Sequence, residues 1–273
     1  MDTEHAARRA LFPRGLVQPE GGFRFGADTL LLSAFAHRQL KPRAALCGLD
    51  LGCGCGAASF GLLVLPGREG LDIAGIDVNP AMTDAARQNA LALGLADRFR
   101  AWTGDADDCS TRDFPIQGPA HFALCNPPFR IPETGRACPN QAKQLARFEG
   151  PGGFAVFARC AARRLRRGGS FFLVHLAERL PELFQHLTQA GLHPRRLLPV
   201  QGRSGGPIRI ALVQAVSGQG RTLVLEPPLV LYDEAHRLTP EAERFCPHLG
   251  ANPDRRRTAP NAGGRPRAPC QPD

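Results

Sequence analysis

Residues 49–59 read LDLGCGCGAAS, an apolar run that ends in a loop with glycine at alternate positions and continues into a helix-forming segment. Alternate glycines allow a sharp turn and let a ligand approach the main-chain N–H groups at a helix start. This stretch therefore predicts the first strand, loop and helix of a nucleotide-binding α/β sheet. Counted from Gly52, the spacing also fits the dinucleotide pattern G-x-G-x-x-G/A with Ala57 in last place, so a NAD site remains open.

Outward from this loop, short apolar runs alternate with helical patterns, which is typical of a parallel sheet. Seven strands are predicted, at residues 45–50, 71–77, 98–102, 121–125, 170–175, 195–200 and 208–216. Helices are predicted at residues 57–65, 80–93, 153–167 and 178–190. A parallel crossover needs about a dozen residues, and the connection after residue 200 is shorter. We therefore predict a doubly wound, Rossmann-like α/β fold with a seven-stranded sheet whose last strand is antiparallel.

Composition limits the class of protein. The 273 residues carry a formal net charge of +9, and 43% of them are hydrophobic, which is enough for a core and excludes a wholly disordered chain. No apolar run approaches the roughly 18 residues of a membrane span. The nine cysteines are scattered without a C-x-x-C pair, which argues against a disulfide framework or a structural metal site. We expect a cytoplasmic monomer with no membrane partner and no metal.

Three parts of the chain are predicted. Residues 1–44 form an N-terminal segment and helix, residues 45–249 form the α/β domain, and residues 250–273 form a tail. The tail is rich in Pro, Gly and Arg and cannot bury apolar surface, so we expect it to be disordered and basic.

Two carboxylates lie at or just after the carboxyl ends of the next two predicted strands. Asp77 lies in GIDVNP, residues 75–80, where a carboxylate can accept hydrogen bonds from both hydroxyls of a ribose. Asp105 lies in TGDADD, residues 103–108, where it could accept a hydrogen bond from the exocyclic amine of an adenine. Asp28 precedes an apolar helix and is interpreted as either a capping residue or a site residue.

The stretch ALCNPPFR, residues 123–130, follows the fourth predicted strand. Pro127 and Pro128 fix the backbone and lack N–H donors, so the carbonyl groups before them point in fixed directions. The Asn126 amide oxygen and the Pro127 carbonyl are two acceptors that suit a planar –NH2 group. Phe129 can stack on the face of a base or an amide. This motif indicates chemistry on an amino group.

On these motifs, the chain resembles the class I S-adenosylmethionine-dependent methyltransferases that act on amino groups. They share the Asn-Pro-Pro-aromatic motif and commonly have an acidic residue before the glycines, as at Asp50. Within them the chain is most similar to the bacterial tRNA1(Val) (adenine-N6)-methyltransferase family. The resemblance runs from about Gln18 to Cys246 and includes residues 23–35, 146–150, 165–175 and 227–241.

The resemblance implies a role for each matching residue. The methionine part of S-adenosylmethionine is assigned to Asp50, Gly52, Gly54 and Gly56. The ribose is assigned to Asp77 and the adenine of the cofactor to Asp105. The target adenine is assigned to Asn126, Pro127, Pro128 and Phe129, with Asn126 also beside the cofactor. The implied reaction is N6-methylation of an adenine in RNA. The first candidate substrate is the anticodon loop of a valine-type tRNA.

Two departures from the family pattern concern the substrate. Phe148 stands where the family usually has His, and Leu238 stands where it commonly has Tyr. The alternatives are N5-methylation of a glutamine in a protein such as a release factor and N6-methylation of ribosomal RNA. Two further alternatives are weaker. An NAD-dependent oxidoreductase does not explain the NPPF motif, and an inactive RNA-binding relative would not be expected to keep this motif intact.

The arginines divide into two predicted groups. Those near the expected pocket are predicted to bind RNA phosphates: Arg14, Arg24, Arg130 and Arg136. Those at the predicted helix end near residue 167 are predicted to stabilise the helix dipole: Arg163, Arg164, Arg166 and Arg167.

Overall fold

The structure is a computed structural model that describes residues 2–20, 22–41, 45–109, 114–116, 118–127, 153–218 and 222–251. Its helices are α1 (Asp2–Ala10), α2 (Ala27–Gln39), α3 (Ala57–Leu63), α4 (Pro80–Ala92), α5 (Gly153–Arg164), α6 (Leu180–Gln189) and α7 (Pro240–Phe245). Its strands are β1 (Leu46–Leu51), β2 (Leu71–Asp77), β3 (Phe99–Thr103), β4 (Ala120–Cys125), β5 (Leu165–Leu176), β6 (Leu192–Arg203), β7 (Ile208–Ser217), β8 (Val224–Leu225) and β9 (Leu229–Tyr232). Single turns of 3-10 helix lie at Ala106–Asp108, Ala177–Arg179 and Pro247–Ala251.

All nine strands belong to one sheet, in the order β3-β2-β1-β4-β5-β7-β6-β8, with β9 also pairing with β6. Strands β1 to β5 are parallel, and β7 is antiparallel to both β5 and β6. The predicted fold class and the predicted antiparallel pairing of β6 with β7 are therefore confirmed. The short connection after β6 turns back on itself because it has no room for a crossover helix.

The predicted count of seven strands is wrong. Strand β6 has 12 residues, twice the predicted length, and so it can pair with two further short strands along its free edge. Arg196 pairs with Val224 of β8, and Val200 pairs with Leu229 of β9. Nothing in the local sequence of the short runs Val224–Leu225 and Leu229–Tyr232 indicated that they would join the sheet.

Helices cover both faces of the sheet, as a doubly wound fold requires. One core contains buried residues of α2, α3, α4 and α7. The other contains buried residues of α5 and α6. Eight consecutive residues of α2, Thr29 to Ala36, are buried, so this N-terminal helix is part of the first core. The predicted boundaries after residues 44 and 249 stay predictions, and residues 252–273 of the tail lie outside the described residues.

The prediction for the second arginine group is wrong for two of its members. Helix α5 ends at Arg164, and Arg166 and Arg167 belong to β5. Leu165 is already paired with Ala120 of β4, and a register shift follows before the next pair. The strand therefore begins before residue 167, where the helix was predicted to end.

Arg164 links α5 to the loop that precedes β4. Its guanidinium donates to the carbonyl oxygens of Cys109 at 2.5 Å and Ile116 at 3.1 Å. The same group lies over the Phe114 ring, 4.3 Å from the centroid. These contacts give Arg164 a packing role beyond the predicted interaction with the helix dipole.

None of the helices in the described part of the chain is long and apolar enough to cross a membrane. The same residues contain no group of three or more His, Cys, Asp or Glu side chains that could hold a metal ion.

Candidate functional site

Three of the predicted site segments meet at the carboxyl edge of the sheet. Leu51 of β1 pairs with Ile76 of β2 on one side and with Cys125 of β4 on the other. The next residues along the three parallel strands are Gly52, Asp77 and Asn126. The register therefore brings the glycine loop, the Asp77 carboxylate and the first residue of the NPPF motif to the same level, at the edge where ligands bind in such sheets.

The glycine loop has a backbone that only glycine adopts readily. Gly52, Gly54 and Gly56 have φ values of 70°, 56° and 86°, all in the left-handed region. A Cβ atom on Gly56 would also lie 2.4 Å from a ring carbon of Phe60, which is fully buried. The loop ends at Gly56, and α3 begins at Ala57. The N–H groups of Gly52 and Cys53 donate to the Ile76 carbonyl, so the loop is held against the end of β2, and Gly52 and Gly54 are its partly exposed residues.

Asp77 connects this loop to the end of β2. Its Oδ2 atom accepts a hydrogen bond from the Gly54 N–H at 2.8 Å, and its Oδ1 atom accepts one from the Asn79 N–H at 2.9 Å. Burial raises the pKa of Asp77. Each carboxylate oxygen has a second lone pair, so the group can still accept hydrogen bonds from ligand hydroxyls. Asn79, rather than Asp77, caps α4, by accepting from the Ala81 N–H.

Asp50 lies beneath the loop instead of facing the edge. The residue is 1% exposed, and its Oδ2 atom accepts a hydrogen bond from the Ser59 hydroxyl at 2.6 Å. Burial, with the nearby Asp77 charge, raises the pKa of Asp50 to about 7. In this conformation Asp50 supports the loop through α3, and direct contact with a ligand would require it to become exposed.

Asp105 lies on the exposed side of the same edge, two residues after β3. Its Oδ1 atom accepts a hydrogen bond from the Asp107 N–H at 2.9 Å and so caps a 3-10 turn. The exposed carboxylate is accessible to a ligand at the carboxyl end of β3, where the sequence predicts the adenine of the cofactor.

The thiols between the glycines are packing groups. Cys53 and Cys55 are both buried. Burial raises the pKa of Cys55 to about 12, so this thiol is neutral at physiological pH.

Asn126 is held from the opposite side by the start of α2. Its Nδ2 atom donates to Thr29 Oγ1 at 2.7 Å and lies 3.4 Å from Asp28 Oδ2. Its Oδ1 atom is buried and has no hydrogen-bond partner among the described residues. A buried acceptor left unpaired costs about 1–3 kcal/mol, and such atoms in native proteins call for an explanation. The simplest one is that this oxygen accepts a hydrogen bond from a ligand.

The contact with α2 was not identified from the sequence. Asp28 was interpreted partly as a cap, but the residue at the N-cap position is Gly26. Asp28 is nearly 100 residues from Asn126 in the chain, and only the segment resemblance over residues 23–35 marked it. Pro127 is buried next to Asn126, whereas Pro128, Phe129, Arg130, Arg136 and Phe148 lie outside the described residues.

A buried asparagine, also unidentified from the sequence, holds the N-terminal segment beside the glycine loop. Asn89 of α4 accepts a hydrogen bond from the Val17 N–H at 2.7 Å and donates to the Val17 carbonyl at 3.1 Å. It also donates to the Cys55 carbonyl at 3.0 Å. The two predicted phosphate-binding residues of this segment, Arg14 and Arg24, are exposed, and Arg14 donates to the carbonyl of Ala251. Their role stays a prediction.

Comparison with known proteins gives relatives at low identity. No family model matches the chain. A tRNA1(Val) (adenine(37)-N6)-methyltransferase from Yersinia pestis is 25% identical over 202 residues, which cover 73% of this chain and 77% of the relative.

Solved structures show the same fold. A predicted O-methyltransferase from Agrobacterium tumefaciens has a TM-score of 0.61 and 19% identity, over 81% of this chain and 96% of that one. A candidate class I S-adenosylmethionine-dependent methyltransferase from Listeria monocytogenes has a TM-score of 0.50 and 13% identity, over 80% of this chain and 65% of that one.

Proposed function

We propose that this chain, a class I S-adenosylmethionine-dependent methyltransferase by its fold and its sequence relatives, methylates the N6 amino group of an adenine in RNA. The named methyltransferase relative supports the predicted enzyme class and cofactor, and the solved structures support the fold. The RNA, the position in it and the roles of individual residues are the proposal. The valine tRNA named for the Yersinia relative is the first candidate substrate.

The observation that carries the proposal is the environment of the Asn126 amide. Its –NH2 group faces Thr29 and Asp28, which leaves its buried oxygen without a partner at the carboxyl edge of the sheet. Asn126 follows β4, which pairs with β1, the strand that leads into the glycine loop. An acceptor in this position suits the planar amino group of a base that lies next to a bound cofactor.

The residues present fit S-adenosylmethionine. Gly52 and Gly54 of the left-handed loop are partly exposed, Asp77 offers carboxylate lone pairs at the end of β2, and Asp105 is exposed just after β3. We assign the methionine part to the loop, with Asp50 supporting it from below, the ribose to Asp77 and the adenine to Asp105. When bound, the cofactor supplies an electrophilic methyl group.

The chain contributes orientation to the reaction. Asn126 Oδ1 accepts one hydrogen of the target amine, and the carbonyl oxygen of Pro127 accepts the other. The nitrogen lone pair is then directed away from the plane of the base and towards the methyl group. Holding reacting atoms in such a geometry can lower a barrier by roughly 7–11 kcal/mol. A strong base is not required, because the amine becomes acidic only as the new N–C bond forms.

The target adenine must leave its stack to reach this edge. Enzymes that modify a base act on single-stranded substrate or rotate the base out of a helix, and the unstacking costs least in a loop. An anticodon loop meets this requirement. A glutamine side-chain amide presents the same planar –NH2 group, so methylation of a protein remains the alternative to be tested.

The test is incubation with S-adenosylmethionine labelled in its methyl group and, separately, total tRNA, ribosomal RNA and a release factor. We expect label in tRNA, released by nuclease digestion as N6-methyladenosine. Label in ribosomal RNA alone would move the substrate to that RNA, and label in protein alone would overturn the RNA proposal. A comparison of methyl transfer to purified valine tRNA and to a purified tRNA of another specificity then identifies the acceptor.

A further inference from the structure

The first turn of α2 contacts the one side chain whose orientation the proposed reaction depends on. An asparagine amide can rotate by 180°, which exchanges its oxygen and its nitrogen at little cost in shape. Only one of the two orientations presents an acceptor to a substrate –NH2 group. The enzyme therefore needs a device that distinguishes the oxygen of Asn126 from its nitrogen.

Thr29 alone does not distinguish them. Its Oγ1 atom lies 2.7 Å from Asn126 Nδ2. A hydroxyl group can accept from an –NH2 group or donate to a carbonyl oxygen, so it is compatible with both orientations. Its contribution is to hold the amide at hydrogen-bond distance from α2.

Asp28 does distinguish them. Its Oδ2 atom lies 3.4 Å from Asn126 Nδ2. An ionised carboxylate has only acceptor atoms, so rotating the amide would place two oxygens against each other and leave the –NH2 group without this partner. The carboxylate also polarises the amide, which strengthens the hydrogen bond that Oδ1 can accept on its other side.

Both residues sit on a rigid support. They are consecutive in the first turn of α2, and Thr29 begins the run of eight buried residues in that helix. Helix α2 packs in the first core against α3, which starts directly after the glycine loop. The position of Asn126 is thereby fixed relative to the proposed cofactor site.

We propose that Asp28 and Thr29 are positioning residues that set the orientation of the Asn126 amide, with Asp28 selecting it and Thr29 holding it in place. This inference rests on the proposed function. It gives Asp28, which the sequence marked only as a capping or site residue, and its neighbour Thr29 a specific role in the reaction.

The test compares Asp28→Asn, Thr29→Val and Thr29→Ser with the wild-type protein. Asp28→Asn keeps the shape but allows either amide orientation, and Thr29→Val removes the hydroxyl. We expect each to lower kcat by roughly 10- to 100-fold, the range for a small misplacement of reacting groups. The Kd of S-adenosylmethionine and the KM of the substrate should change by less than about threefold. Thr29→Ser keeps Oγ1 and should restore most of the activity.

Ser33→Ala is the matched control. Ser33 is equally buried one turn further along α2, and its hydroxyl donates to the carbonyl oxygens of Thr29 and Ala58 without touching Asn126. Its loss should lower stability and leave kcat within about twofold. If Ser33→Ala lowers kcat as much as Thr29→Val, the effect belongs to the helix and the positioning role is refuted.

A second measurement does not depend on any substrate. The side-chain –NH2 signals of Asn126 in an NMR spectrum, assigned by their loss in Asn126→Asp, should be protected from solvent exchange in the wild-type protein. They should lose this protection in Asp28→Asn and Thr29→Val. Unchanged signals in folded variants would overturn the inference, as would an activity loss that lies entirely in cofactor affinity. Failure of RNA to accept a methyl group would refute the proposed function while leaving this measurement intact.

Discussion

Asp77 holds the glycine loop at the carboxyl edge of the sheet, and we propose that it also binds the ribose of the cofactor. Its oxygens accept the N–H groups of Gly54 and Asn79, which fixes the glycine loop against the end of β2. Burial makes its charged form costly, since the pKa is raised. We therefore expect this buried carboxylate to bind a ligand. In nucleotide-binding sheets of this kind, the hydroxyls of a ribose are the donors that reach an acidic residue in this position.

Replacing Asp77 by Ala should therefore abolish measurable cofactor binding. We expect the Kd of S-adenosylmethionine to rise by roughly 100-fold or more, because two hydrogen bonds to a charged acceptor are lost, each contributing about 1.5–3 kcal/mol. Isothermal titration calorimetry checks this. Asp72→Ala is the matched control, since Asp72 is an exposed aspartate of the same strand. Unchanged affinity in Asp77→Ala would remove this residue from the site.

Asn126 should affect turnover and not cofactor affinity. In Asn126→Ala the acceptor for the target amine is gone, and we expect kcat to fall by roughly 100- to 1,000-fold, as when one preorganised group is removed from an active site. The Kd of S-adenosylmethionine should stay within about threefold. Methyl transfer to the RNA accepted by the wild-type protein is the measurement. Wild-type turnover by this variant would show that Asn126 does not hold the target.

At the scale of elements, the loop between β1 and α3 combines two constraints. Three alternate glycines have positive φ, which gives the main chain its open turn. The last of them also lies against the Phe60 ring, which packs edge-to-face with Phe99, 4.7 Å between centroids. The loop is therefore anchored to the core at the point where α3 begins.

Gly56→Ala and Gly67→Ala separate these constraints. Both positions have positive φ, which costs a non-glycine residue about 1–2 kcal/mol, but a Cβ atom at Gly67 would meet nothing within 4 Å. We expect Gly67→Ala to lose only this amount of unfolding free energy in urea titrations. Gly56→Ala should lose about 1–3 kcal/mol more from overpacking, and also cofactor affinity. Equal losses in the two variants would show that Phe60 does not constrain the loop.

Across the whole molecule, burial at the site creates a dependence of stability on pH. Desolvation is the largest cause of the raised pKa of Asp28, Asp50 and Asp77. The folded protein therefore holds protons on these groups at pH values where the unfolded chain has lost them. Their contribution to stability is complete below about pH 3.8 and declines as the pH rises. For Asp50 the decline extends to about pH 7.

Asp50→Asn should remove the largest part of this dependence. One pKa unit corresponds to 1.36 kcal/mol, so a rise from 3.8 to about 7 amounts to about 4 kcal/mol at most. The unfolding free energy of the variant relative to that of the wild-type protein should increase between pH 4 and pH 7.5. Urea unfolding at several pH values measures it. A difference that stays constant with pH would show that Asp50 titrates normally.

Local patterns determined much of the architecture. The glycine loop, the alternation of strands with helices and the short connection after β6 each act over a few residues, and the structure has all three where they were expected. The sequence placed Asp77, Asp105 and Asn126 at one edge, because parallel strands end at the same edge and topology alone brings together the residues at or just after those ends. Their roles stay predictions.

Tertiary structure decided what no local pattern encodes. Strands β8 and β9 join the sheet because β6 is long enough to pair with both, and Arg166 and Arg167 are strand residues because Leu165 pairs with Ala120. The contacts of Asp28 and Thr29 with Asn126 join residues nearly 100 positions apart. Periodicity in a sequence reports which element a residue belongs to and which face it presents. The partner of that face is set by packing of the whole chain, and here packing supplies the hydrogen bonds that orient the candidate catalytic amide.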